Sequence, residues 1–260
     1  MPLSLVQYVL GLASGSLVGF SLGLVGGGGS ILAVPLMVYL VGIPNAHVAI
    51  GTSAMAVAAN AAVGLANHAR SGRVKWNCSL VFAAAGVVGA LLGSSLGKHI
   101  GGQKLLALFA LLMIAVGVTI LCKRRSEGDE TVQLNPSNLW KLIGIGVGTG
   151  TLSGFFGIGG GFLIVPGLML ATGMPILNAV GSSLVGVTAF GLTTATNYAF
   201  SGLIDWTLAT AFLGGGVVGG IFGTYTATVL ASRRGMLNIA FAGLIFIVAF
   251  YMLARTTGIL

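Results

Sequence analysis

Two glycine runs carry the most unusual chemistry in this sequence. The stretches "GGGGSILAVP" (residues 26–35) and "GIGGGFLIVP" (residues 157–166) sit inside long apolar surroundings that hold no charge. Successive glycine amides can turn inward with no side chain in the way, and so form a concavity that accepts an anion. A helix starting at such a break adds the positive end of its dipole. The candidate anion-binding residues are therefore Gly26, Gly27, Gly28, Gly29 and Ser30 in the first run, and Gly157, Gly159, Gly160 and Gly161 in the second. A second pair of motifs, "GTS" at 51–53 and "GSS" at 181–183, adds Thr52, Ser53, Ser182 and Ser183 as hydroxyl donors. Glycine followed by two hydroxyls reads as the start of a helix with an N-cap. Hydroxyls bonding back to their own helix carbonyls are the equal alternative.

The remaining polar residues carry less. Asn60, Asn67 and Asn197 lie further along the same spans, and the aligned Asn67 and Asn197 read as helix-end caps. His47 reads as a solvated interfacial residue, and Cys78 and Cys122 as small fillers without metal-ligand spacing. No Gly-Lys-Ser/Thr follows either glycine run, which excludes a P-loop. Glu127, Asp129, Glu130 and Asp205 all fall in loops or at span ends, so no carboxylate relay crosses the membrane. No His/Glu or Ser/His/Asp constellation is expected at membrane depth, which argues against an enzyme, and no metal or cofactor is expected. An anion held by amides, hydroxyls and dipoles alone is bound weakly and reversibly, as a carrier requires.

The elements that must position these residues follow from composition. Of 260 residues, 56% are hydrophobic and 6% charged, with mean hydropathy +1.04. That balance belongs to an all-α polytopic membrane protein. Uncharged stretches at residues 3–25, 48–67, 77–97, 105–122, 142–156, 179–201, 208–231 and 237–253 approach or reach the roughly 20 residues a spanning helix needs. Met1 to Gln7 has no basic n-region, so the first helix is expected to be retained. The net charge of +8 sits in short loops between spans, where it reports orientation in a lipid bilayer rather than nucleic-acid binding.

A duplication runs through the chain. Besides the glycine runs, "AIGTSAMAV" (49–57) aligns with "AVGSSLVGV" (179–187), "NHARSGRVKW" (67–76) with "NYAFSGLIDW" (197–206), and "GVVGALLG" (86–93) with "GVVGGIFG" (216–223). The expected organisation is a first transmembrane repeat at 1–122, a polar inter-repeat loop at 123–138 and a second repeat at 139–260. Matching loops differ in charge: Arg70, Arg73 and Lys75 correspond to Phe200, Leu203 and Asp205. This favours inverted repeats of 5+5 segments, which put nine basic residues on one face against three. A parallel 4+4 arrangement with eight spans is the alternative.

Within each repeat the glycine run is expected to break a helix. Residues 31–43 would rise only about 20 Å, but with 26–30 extended at roughly 3.3 Å per residue the combined piece can span. The reading is a discontinuous transmembrane helix whose half-helix is capped by Ser30. Non-helical backbone at membrane depth is tolerated only where it is buried in protein or lines a polar cavity. Gly15, Gly19 and Gly23, with the aligned Gly146, Gly150 and Gly154, have instead the spacing of close helix contact. Gly89, Gly93 and Gly97, and Gly215, Gly219 and Gly223, are candidate homodimer faces that internal packing explains as well.

The paired "GGGGSILAVP" and "GIGGGFLIVP", each followed by Gly-Thr/Ser-Ser and then "SGxxxW", resemble the TauE/SafE sulfite exporter family over about residues 15–253. The resemblance implies a multi-pass protein of the bacterial cytoplasmic membrane that exports sulfite, sulfonates or other small organosulfur anions. It also implies that the glycine motifs and hydroxyl pairs form the substrate region. The second run has Ile158 where the first has Gly27, so the two half-sites need not contribute equally. Alternating access between the two halves is the expected mechanism. An anion channel or facilitator for another small anion, or a structural membrane protein, is the alternative.

Overall fold

A chain this poor in polar side chains must satisfy its backbone within its own segments, and helices do so locally. The computed structural model describes residues 4–122, 132–159, 161–229 and 234–256, and among these there is no strand. The helices are α1 (Leu5–Val25), α3 (Ala46–Arg70), α4 (Trp76–Lys98), α5 (Gly102–Cys122), α6 (Pro136–Phe156), α7 (Gly161–Thr172), α8 (Ile176–Ala199), α9 (Trp206–Val229) and α10 (Arg234–Thr256). Between α1 and α3 lies a composite element, α2. It consists of a 3-10 stretch Gly26–Leu32, a single α turn Ala33–Pro35 and a π turn Leu36–Leu40. Among the described residues, five helices are long and apolar enough to cross a membrane: Leu5–Gly23, Ala46–Arg70, Trp76–Lys98, Ile176–Ala199 and Trp206–Thr226. Their outward faces are apolar, and Leu92 of α4 and Ile221 of α9 remain 58% and 66% exposed, which suits lipid and not water.

The extended form expected of residues 26–30 is not what forms. The whole run is 3-10 helical and continues from α1, and the α turn after it has Leu32 at its N-cap with no side-chain cap, so Ser30 does not cap it. The reason is steric: a 3-10 helix eclipses side chains three residues apart, and consecutive glycines have none to eclipse. The hydroxyl motifs do not start helices either. Asn45 caps α3 by accepting from the His47 amide at 2.9 Å, and α8 starts after Pro175. Gly51 and Gly181 thus lie in the second turn of their helices.

Packing follows the small residues. α1 runs along α9 and α6 along α4, while α3 pairs with α8 and α5 with α10. A Cβ on Gly15 would strike the Phe212 carbonyl and one on Gly19 the Gly216 carbonyl; from the opposite side, Gly215, Gly219 and Gly223 meet the carbonyls of Leu12, Ser16 and Phe20. The α4–α6 pair repeats the pattern: Gly93 and Gly97 lie against Thr151 and Phe155, and Gly150 and Gly154 against Gly86 and Ala90. The glycine stripes expected as candidate homodimer faces are therefore turned inward against α6 and α1. They leave no room even for a methyl group, so they are not surfaces for a second copy.

Candidate functional site

The second glycine run breaks the chain as its composition demands. α6 ends at Gly157 in the left-handed region (φ 68°), and the amides of Gly157 and Ile158 both donate to the Ser153 carbonyl, at 2.9 and 3.3 Å. Gly159 is again left-handed (φ 64°), and α7 restarts at the buried Gly161. Gly160 lies outside the described residues. The side chains beside this break are apolar: Gly157 abuts Ile50, and a Cβ on Gly159 would lie 3.2 Å from both Val57 of α3 and Val187 of α8. In the first run, Gly26, Gly27 and Gly28 form the opening of the 3-10 stretch, Gly29 is buried against the backbone of Ser21 and Leu22, and Ser30 is fully buried. α7 and α8 both pack against Gly26–Leu32, so the first run lies against the helix that follows the second.

The hydroxyl motifs join distant parts of the chain. Thr52 Oγ1 accepts from the backbone amide of Asp205 at 3.0 Å, and Ser182 Oγ accepts from the amide of Lys75 at 2.9 Å. The glycine ahead of each hydroxyl gives the same loop its seat: a Cβ on Gly51 would strike the Leu203 carbonyl, and one on Gly181 would come within 2.9 Å of the Arg73 carbonyl. Each "G[TS]S" motif thus clamps the "SGxxxW" loop of the other half and satisfies an amide just ahead of α9 or α4. The next hydroxyls, Ser53 and Ser183, donate back to the carbonyls of Ile50 (3.1 Å) and Val180 (2.8 Å) of their own helices. All four are at most 1% exposed.

Two polar features are not apparent from the sequence motifs. A cavity of about 410 Å³ opens between α1, α3 and α9, and Asn60 is part of its wall, with its carboxamide turned against Gly216 of α9. Asn60 is 9% exposed, and neither its nitrogen nor its oxygen has a hydrogen-bond partner. Asn67, His68, Gly216 and Thr224 also line this cavity, and His68 Nδ1 is buried without a partner. The corresponding position of the second half is Phe190, fully buried and stacked on Phe82 with ring centres 6.2 Å apart. Gly216 lies against the Asn60 carboxamide just as Gly86 lies against the Phe190 ring. A signal for it exists in the match between the two halves: a polar residue at mid-span in one copy faces an aromatic one in the other.

The second feature is a polar knot where α4 ends against α8. Lys98 Nζ donates to the Asn197 carbonyl (3.2 Å), to Asn197 Oδ1 (2.8 Å) and to Ser201 Oγ (2.9 Å). Asn197 Nδ2 in turn donates to Ser94 Oγ at 2.6 Å and Ser95 Oγ at 3.1 Å. Asn197 therefore ties two helices together rather than capping one, and Asn67, still inside α3, lines the cavity rather than ending its helix.

The likenesses of the chain agree with this architecture. Residues 11–252 match the family model of the sulfite exporter TauE/SafE. A probable membrane transporter protein of Xylella fastidiosa is 48% identical over 98% of each chain, and the probable membrane transporter protein YdhB of Bacillus subtilis is 30% identical over 80% of this chain and 85% of its own. No solved structure matches the chain. A helical membrane protein with two glycine runs, matched by that model over nearly its full length, belongs to the TauE/SafE sulfite exporter family.

Proposed function

We propose that this protein is a multi-pass secondary transporter of the cell membrane that moves sulfite or small organosulfonate anions out of the cytoplasm by alternating access. The observation that carries the reading is the family match over residues 11–252, taken together with the packing of α7, the helix after the second glycine run, against the first run. The halves act as inverted 5+5 repeats. Exchange of contacts supports this: α1 lies on α9 as α6 lies on α4, and the Thr52–Asp205 bond has its counterpart in Ser182–Lys75. The left-handed glycines match as well, Gly42 with Gly173 and Gly72 with Gly202. Trp76 and Trp206, at corresponding helix starts, are 45% and 56% exposed and suit aromatic anchors at opposite interfaces.

In this reading the anion is received between Gly26–Gly29 and Ser30 of one half and Gly157 and Gly159–Gly161 of the other, the Gly157 amide staying on the Ser153 carbonyl and shaping the break. Thr52, Ser53, Ser182 and Ser183 hold the framework of that site. Rocking of one half on the other would exchange which side reaches it. The test is uptake of radiolabelled sulfite into liposomes containing the purified protein, competed by methanesulfonate and by acetate, with and without a pH gradient. Saturable uptake blocked by methanesulfonate and not by acetate is expected, with trans-stimulation separating a carrier from a channel. Absence of uptake of sulfite, sulfate, thiosulfate and simple sulfonates by folded protein would overturn the substrate assignment.

A further inference from the structure

We infer that the cavity at Asn60 is a binding site for a small oxyanion beside the first glycine run, gripped by the Asn60 carboxamide as it turns from Gly216 into the cavity. The inference rests on the proposed transport function and adds a site to it. Three observations carry it. First, Asn60 has the wrong chemistry for its place unless something visits it. A buried amide with both polar atoms unpaired is a standing cost, and an apolar side chain is accommodated at the matching position, where Phe190 fills the space beside Gly86.

Second, the depth is right. Asn60 precedes the end of α3 at Arg70 by ten residues, which at about 1.5 Å each puts it roughly 15 Å in, near the middle of about 30 Å of hydrocarbon. Asn67, His68 and Thr224 line the way between, and Leu22, in the same wall, has its backbone against Gly29 of the first glycine run. The cavity thus reaches from the outer side of α3 and α9 to the neighbourhood of the first glycine run, and its volume holds a small anion with several waters, each needing about 30 Å³.

Third, the charge suits an anion. None of the described residues lining the cavity is Asp or Glu, and the helix that walls it runs directly into Arg70, Arg73 and Lys75. A basic rim over an uncharged throat concentrates anions without trapping them. The donors available, an amide N–H and a histidine ring, suit a tetrahedral or pyramidal oxyanion head.

The experiment uses full-length protein with Cys78→Ser and Cys122→Ser, reconstituted in phosphatidylcholine/phosphatidylglycerol liposomes, and a reporter Gly64→Cys in the cavity wall. A Cβ there meets only Leu184, whose Cδ1 is the nearest atom at 3.5 Å, so the reporter fits. Its labelling by a maleimide is measured with and without methanesulfonate, alongside transport. Methanesulfonate should slow labelling, and Asn60→Leu should weaken that protection about tenfold or more, the size of one lost charge-assisted bond, while raising Tm or leaving it unchanged. Asn60→Ser, which keeps a donor, should lose less. A merely structural Asn60 predicts the reverse, lower Tm with protection intact, and that result overturns the site. Transport by Asn60→Leu with unchanged KM also overturns it, and leaves the transport reading standing. Protection by phosphate or acetate alone, dependent on Asn60, would keep the site and remove the organosulfur assignment. A label rate indifferent to every anion, with a lipid chain occupying the groove, would remove the site.

Discussion

Replacing Thr52 with Val removes one oxygen and almost no volume, and it separates two roles for this hydroxyl. The Thr52 side chain is fully buried, and its oxygen accepts the Asp205 amide at 3.0 Å. Valine leaves that amide facing hydrocarbon, and a buried donor without a partner costs about 1–3 kcal/mol. For a chain of this size each kcal/mol moves Tm by roughly 2–4 °C, so Thr52→Val should lower Tm by roughly 2–12 °C. Ser182→Ala, which strands the Lys75 amide in the same way, should cost a similar amount. The two bonds share no residue, so the double variant should lose close to the sum of the single losses. The assay is thermal unfolding in one detergent, followed by monodispersity on size exclusion, with sulfite uptake measured on the same preparations at a temperature where all remain folded. The reasoning is refuted if Thr52→Val keeps its Tm and loses transport, because the hydroxyl would then be serving the substrate and not the loop.

Three further outcomes follow from the packing. Gly219→Ala drives a methyl group into the Ser16 carbonyl and must part α1 from α9, so it should destabilise by about 1–3 kcal/mol, read as a lower Tm and poorer yield. Gly159→Ala forces a side chain into the left-handed region at a cost of about 1–2 kcal/mol and crowds Val57 and Val187. It should lower both Tm and the rate of sulfite uptake, and a variant as stable as the parent would contradict a left-handed residue at this position. Lys98→Met deprives Asn197 and Ser201 of their shared donor and should cost about 1–2 kcal/mol. Reaction of an Asn197→Cys reporter with a water-soluble maleimide should rise in that background as the end of α8 loosens from α4.

Charge content and hydropathy alone require a helical membrane protein, since backbone groups in lipid must bond within their own segment. Gly15, Gly19 and Gly23 announce a close helix contact by their spacing, because one glycine per turn on one face is a local pattern. Their partner is not announced. Gly215, Gly219 and Gly223 have the same spacing and could equally meet another copy of the chain; only the fold turns them onto α1. The same limit explains the hydroxyl motifs. Thr52 and Asp205 are 153 residues apart, and Ser182 and Lys75 are 107 apart. Nothing within either motif distinguishes a hydroxyl aimed at a ligand from one aimed at a distant amide.

Asn60 makes the point from the other side. Its place at mid-span and its mismatch with Phe190 are written in the sequence. That its carboxamide is left unpaired against Gly216, while Lys98, Asn197 and Ser94 knit the end of α4 to α8, depends on which helices meet. The sequence by itself determined the membrane class and the glycine turn after α6, both of which are properties of neighbouring residues. The tertiary structure alone decided which polar atoms are paired and which are left open, because a hydrogen bond needs its partner within about 3 Å, and chain position does not set that distance across a hundred residues.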